Sequence, residues 1–182
     1  MILLVANYAD DNSPFTIAPS IPSVINNLEA DSKNILWWLQ YNGLKANPDK
    51  FHLLLSESDQ NLSAKVDKFD LSNTPSQKLL GVTIDNKMTF KLHVTNLCNK
   101  ASQKLHALSR VSNYMSLKQR KVIMHSFILS QFGYCPLVWM LHSRQLNNRI
   151  NRIHERALRI VYRDIKSSFC QLLTRDKVLV HD

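Results

Sequence analysis

The 182 residues are 45% hydrophobic and 20% charged, a balance that excludes a disordered tail and suits one domain or two small ones. With only three glycines and no GxGxxG or GxxxxGKS/T pattern, the glycine-rich nucleotide cradles are excluded as well. The net charge of +9 is unevenly held: residues 1–86 carry 6 basic and 10 acidic side chains, whereas residues 87–182 carry 17 and 4. Such an asymmetry predicts two regions, the second facing a polyanion such as nucleic acid or an anionic membrane surface.

In chain order, Ile2 to Ala6 reads as an apolar strand, Tyr8 to Asn12 as the polar apex of a hairpin, and the alternation of Phe15 and Ile17 as its return. The apolar opening is too short for a signal peptide and lacks a basic leader. Ser20 is placed to cap a helix with Pro22 in its first turn. Ile21, Val24, Ile25, Leu28, Ile35, Leu36 and Leu39 then recur at helical spacing up to Gly43. Trp37 and Trp38 fall beside that stripe as core and rim residues. After an Asn47–Lys50 turn come a strand at Phe51–Leu55, a weak one at Val66–Phe69, and a single strand from Lys78 to Ile84 that ends at Asp85 and Asn86.

From residue 88 the period is helical. Val94, Leu97, Cys98, Ala101, Leu105 and Leu108 form one stripe, and Ser116 with Gln119 forms a capping box ahead of Val122, Ile123 and Phe127. A further helix over Arg144–Arg163 buries Leu146, Ile150, Ile153, Ala157, Ile160 and Val161. The predicted layout is α+β, an antiparallel sheet with one packed helix over 1–86, followed by a basic all-helical region over 87–182. Cys98, Cys135 and Cys170 are odd in number with no CxxC spacing, so a reducing intracellular compartment, nuclear or cytoplasmic, is expected. No run reaches the roughly 18 apolar residues of a membrane helix, and neither secretion nor a membrane partner is expected.

Two constellations could carry chemistry. Adjacent Asp10 and Asp11 at a hairpin tip repel one another unless a cation sits between them, and an all-oxygen donor set suits Mg²⁺ or Mn²⁺. A solvated Asp-Asp-Asn turn explains the same residues. Arg149, Arg152, Arg156, Arg159 and Arg163, stepping by three and four, place five guanidiniums on one helical face, opposite the apolar set. They could track a phosphate backbone or simply form a solvated face; Lys91, Lys100, Lys104, Arg110, Lys118, Arg120 and Lys121 tilt the reading toward nucleic acid. The seven histidines form no zinc pattern, and no GxSxG elbow supports serine hydrolysis.

Taken in order, Tyr8-Ala9-Asp10-Asp11, Trp37-Trp38 with Asn42-Gly43-Leu44-Lys45-Ala46-Asn47-Pro48-Asp49-Lys50, and Lys78-Leu79-Leu80-Gly81-Val82-Thr83-Ile84-Asp85 with Phe90 and His93 resemble successive motifs of one family. Phe132-Gly133-Tyr134-Cys135-Pro136-Leu137-Val138-Trp139 and Arg156-Ala157-Leu158-Arg159-Ile160-Val161 continue the series. The family is the reverse transcriptase of non-LTR (LINE-type) retrotransposons, of which the chain resembles the C-terminal part, a partial polymerase palm with its YADD hairpin and a thumb-like helical region. The resemblance implies RNA-directed DNA polymerisation, with an RNA template, a DNA primer and a deoxynucleoside triphosphate. By the same resemblance Asp10 and Asp11 hold catalytic Mg²⁺ or Mn²⁺, and Tyr8 lies near the primer end or the incoming nucleotide. Lys50 assists pyrophosphate departure, and Leu80 and Gly81 grip the primer.

The palm strand with the remaining catalytic carboxylate and the fingers region find no counterpart in the chain. Asp31, on a helix, and Asp85, at the end of a distant strand, are not expected as substitutes. The expectation is a polymerase fragment that is silent or nearly so alone. The alternative is a non-catalytic basic nucleic-acid-binding module. A metal-dependent nuclease on Asp10 and Asp11 lacks a third acid and a general base.

Overall fold

The computed structural model describes residues 4–8, 11–56, 62–135, 138 and 143–178, arranged in two units, Met1–Gln77 and Lys78–Asp182. The division falls ahead of the 86/87 position suggested by charge because the strand Val82–Asp85 packs with the helices that follow: Val82 lies in their apolar core.

In the first unit, β1 (Leu4–Tyr8) and β2 (Asp11–Phe15) pair antiparallel, from Leu4 opposite Phe15 to Tyr8 opposite Asp11. Ile17 falls outside the ladder and is exposed. α1 (Ile21–Tyr41) starts where expected: Ser20 is extended and its Oγ accepts from Ser23 N–H at 3.4 Å. It stops where Asn42 Nδ2 donates to Trp38 O at 2.8 Å and Gly43 turns to φ +71°, a backbone state that glycine adopts without a side-chain clash. β3 (Ser63–Val66) and β4 (Phe69–Ser72) form a second hairpin, with Asp67 at φ +56° in its turn. One weak strand was expected there, but the polar turn breaks it in two.

The strand expected at Phe51–Leu55 is a single bridge, Leu53 to Asn73. Side chains replace the ladder: Leu55 N–H donates to Asn73 Oδ1 at 2.9 Å, and Thr74 Oγ1 donates to Leu53 O at 3.0 Å. Leu53, Leu55 and Ala64, with Val24, Ile25, Leu28, Leu62 and Leu71 packed on them, make a small core under α1. Trp37 and Trp38, expected in the core and at its rim, are 65% and 54% exposed within the chain, and the Trp37 ring stacks on Tyr41.

β5 (Ser76–Leu79), within which the division between the units falls, and β6 (Val82–Asp85) form a hairpin where one continuous strand was expected. Leu80 and Gly81 lie between them at φ +46° and +85°, and two successive left-handed residues reverse the chain in two steps. Among the described residues the sheets are therefore three separate two-stranded ladders, not the one antiparallel sheet expected.

α2 (Lys91–Val111) buries Val94, Cys98, Ala101, Leu105 and Leu108 along its predicted stripe. α3 (Leu117–Ile123) begins with the expected capping box, Ser116 Oγ and Gln119 Oε1 each accepting from the other's N–H. It continues as a π-helical turn over Met124–Ile128 and a 3₁₀ turn over Leu129–Phe132. α4 (Arg144–Tyr162) ends at Arg163, φ +54°. α5 (Phe169–Val178), not anticipated from the sequence, docks through the fully buried Leu172.

Candidate functional site

Asp10 lies outside the described residues. Tyr8 and Asp11 form the last pair of the β1–β2 ladder, and both are solvent-exposed, Tyr8 by 67%. Pairing across the ladder follows from the extended, alternating geometry of the two strands. Lys50 is exposed at the end of a 3₁₀ turn, Pro48–Lys50, that Asn47 caps by accepting from Asp49 N–H at 3.1 Å. Among the described residues no hydrogen bond or ion pair joins Lys50 to Tyr8 or Asp11, and no group of three His, Cys, Asp or Glu side chains is gathered to hold a metal.

One exposed carboxylate does not make a divalent-cation site, which needs several oxygen donors converging on one point. Among the described residues of the hairpin, Asp11 by itself does not complete such a site. Neither other acid supplies the lack. Asp31 is buried on α1. Asp85 closes a local turn, accepting from the backbone N–H groups of Lys87, Thr89 and Phe90 and from Thr89 Oγ1. Burial pushes its carboxyl up, but those donors outweigh it and hold the group below the ordinary carboxylate range. His93, from the same sequence motif, is likewise structural: its Nδ1 accepts from Thr83 N–H at 3.2 Å, tying α2 to β6. Burial, with Lys100 adding to it, holds the imidazole below its usual value and neutral.

Leu80 and Gly81 form the β5–β6 turn. Tyr134 reaches it from the far end of the helical segment, its Oη donating to Leu80 O at 2.8 Å. Two of the sequence motifs thus meet in space, although no periodicity could have predicted the contact.

The arginine series divides. Arg149 donates to Asn99 Oδ1 on α2 at 2.6 Å, and Arg163 donates to the Ser112 and Asn113 carbonyls just beyond α2. These two links set α2 and α4 side by side and running the same way. Arg159 is held by Glu155 at 2.6 Å and by the Ile165 carbonyl at 2.6 Å. Arg152 and Arg156 are exposed, with no hydrogen bond or ion pair among the described residues. α2 contains no acidic residue, and the one acid of α4, Glu155, is engaged by Arg159, so no acid on either helix is paired with Arg152 or Arg156.

Two members of the wider basic set are not available to a ligand. Arg120 is only 7% exposed and donates to the carbonyls of Val161, Ser112 and Met115. Lys121 sits 3.6 Å from Asp176, a carboxylate that also accepts from Tyr162 Oη at 2.9 Å and lies 3.0 Å from His125 Nε2. Sequence spacing alone could not separate these structural cations from the free ones, because both occupy helical positions three or four apart.

The chain is 24% identical over 165 residues to the probable RNA-directed DNA polymerase from transposon BS of Drosophila melanogaster. That alignment takes in 87% of this chain but 18% of the relative, so the chain spans under a fifth of that protein's length. No family model and no solved structure matches the chain. The similarity supports a reverse-transcriptase relationship. Among the described residues no helix is long and apolar enough to cross a membrane.

Proposed function

We propose that this chain is a reverse-transcriptase-like segment of a transposon polymerase of the non-LTR type. In this reading it contributes the YADD hairpin to a palm and a basic helical region to the hold on template and primer. The observation that carries the reading is the similarity to a transposon RNA-directed DNA polymerase along almost the whole chain, in which Tyr8 and Asp11 of the Tyr-Ala-Asp-Asp sequence form the last pair of a β-ladder. The partners are an RNA template and a DNA primer. Arg152 and Arg156, exposed and without a partner among the described residues on a face whose one acid, Glu155, is engaged by Arg159, are among the cations free to meet their phosphates.

In the assembled polymerase Asp10 and Asp11 supply two of the carboxylates for Mg²⁺ or Mn²⁺, which would stabilise charge on the transferred phosphoryl group. Tyr8 lies beside them, Lys50 stands near the leaving pyrophosphate, and Leu80 and Gly81 meet the primer. By itself the chain binds nucleic acid without extending it, since the described residues bring no further carboxylate to the hairpin.

The test is a primer–template binding and extension assay with an RNA template, a DNA primer, deoxynucleotides and Mg²⁺. Binding without extension is the expected result. Extension abolished by Asp10→Asn would overturn the silence of the isolated chain and confirm the carboxylate role. Failure to bind primer–template at low salt would overturn the whole proposal. A non-catalytic nucleic-acid-binding module is favoured by the same free arginines, and equal affinity for any duplex, with no response to Mg²⁺ or to the Asp10→Asn change, would select it.

A further inference from the structure

The β5–β6 turn combines an unusual backbone with a single clasp. Leu80 adopts φ +46°, a state that a β-carbon disfavours, and one side chain contacts it there. That contact is Tyr134. Its Oη donates to Leu80 O at 2.8 Å, and its Cε1 lies 3.8 Å from where a β-carbon on Gly81 would stand, so the ring runs along the turn. Tyr134 is 57% exposed, and the turn carbonyl is its one hydrogen-bond partner among the described residues. A phenol that packs into no core and bonds one strained peptide is placed for that peptide.

The Leu80 carbonyl belongs to the central peptide of the turn, the plane that rotates when a two-residue turn changes type. In a trans peptide C=O and N–H point opposite ways. Holding the carbonyl toward Tyr134 therefore directs Gly81 N–H away from it. Gly81 is exposed, and no hydrogen bond among the described residues uses its N–H. Without a side chain, its backbone can be approached closely by an anion.

We infer that Tyr134 is a positioning residue: its phenol locks the Leu80–Gly81 peptide so that Gly81 N–H is presented to a phosphate oxygen of the primer strand near its 3′ end. This rests on the proposed function, which places the turn against the primer.

The experiment measures binding of the full chain to RNA template–DNA primer duplexes in which single primer phosphates are replaced by neutral methylphosphonates. For the unaltered protein, neutralising one phosphate near the 3′ end should weaken binding several-fold. In Tyr134→Phe, which keeps the ring and removes the donor, the same replacement should make little difference, with the melting temperature unchanged. Gly81→Ala, strained at φ +85°, should lose the same sensitivity.

Full phosphate sensitivity in Tyr134→Phe overturns the inference and leaves the proposed function standing. Tight binding with no sensitive phosphate near the 3′ end also overturns it. Absence of any primer–template binding overturns the proposed function and this inference together.

Discussion

Arg152 and Arg159 differ by two helical turns and share a residue type, yet their surroundings assign them different work. Arg159 is bonded to Glu155 and to Ile165 O, so its charge is spent inside the unit, whereas Arg152 and Arg156 reach solvent without a partner among the described residues. Each guanidinium that neutralises a phosphate releases about 0.9 of a counterion from a duplex. The double change Arg152→Ala and Arg156→Ala should therefore lower the slope of log affinity against log salt by about 2. Arg159→Ala should leave the slope nearly unchanged and lower the melting temperature instead. Fluorescence anisotropy titrations at several salt concentrations decide the matter. An equal slope change for all three positions would restore the uniform stripe that the spacing suggested.

At the scale of elements, the second unit is tied together by buried polar groups as well as by its apolar core. His93 accepts from Thr83 at the α2–β6 junction, and burial holds it below its usual pKa. His154, on α4, packs edge-on against Phe169 of α5 with its Nε2 buried and unbonded among the described residues. Burial lowers its pKa, Asp176 opposes that shift, and His125 reinforces it. Both imidazoles are neutral in the fold, while the unfolded chain takes up protons below the ordinary histidine value of 6.5. The unfolded state then binds more protons, so this contribution to stability is present above about pH 6.5 and is lost as pH falls through that value toward the lowered native ones. Thermal melts should show the second unit weakening from pH 7.5 to 5.0, and His154→Phe should flatten part of that dependence. A melting temperature that rises on acidification would contradict it.

For the whole molecule, the two units differ in how much apolar surface they bury. The first has a small cluster around Leu53, Leu55 and Ala64, while the second gathers residues from β6 and four helices, many with no exposed surface. Stability from burial scales with apolar area removed from water, about 25 cal/mol per Å². Urea should therefore unfold the first unit at lower concentration. In a Trp139→Phe background, emission from Trp37 and Trp38 reports the first unit, and helical circular dichroism is dominated by the second. Coincident transitions from the two probes would show that the units unfold as one.

What could be read from the sequence was set by short-range chemistry. α1, the Ser116–Gln119 capping box and α4 fall where the periodicity and caps placed them, because a helix's hydrogen bonds and buried stripe both repeat within a few residues. The charge asymmetry and the motif order likewise needed no coordinates, and the motif order carried the resemblance to reverse transcriptases.

Tertiary contact decided the rest. Lys78–Ile84 reads as one strand by composition, and the turn that splits it is met by Tyr134, 54 residues beyond Leu80. Arg120 and Lys121 look like surface cations until carbonyls and a carboxylate from distant helices surround them. Periodicity reports which side of an element a residue occupies, but which partner waits on that side depends on chain crossings over long separations, and these belong to the fold.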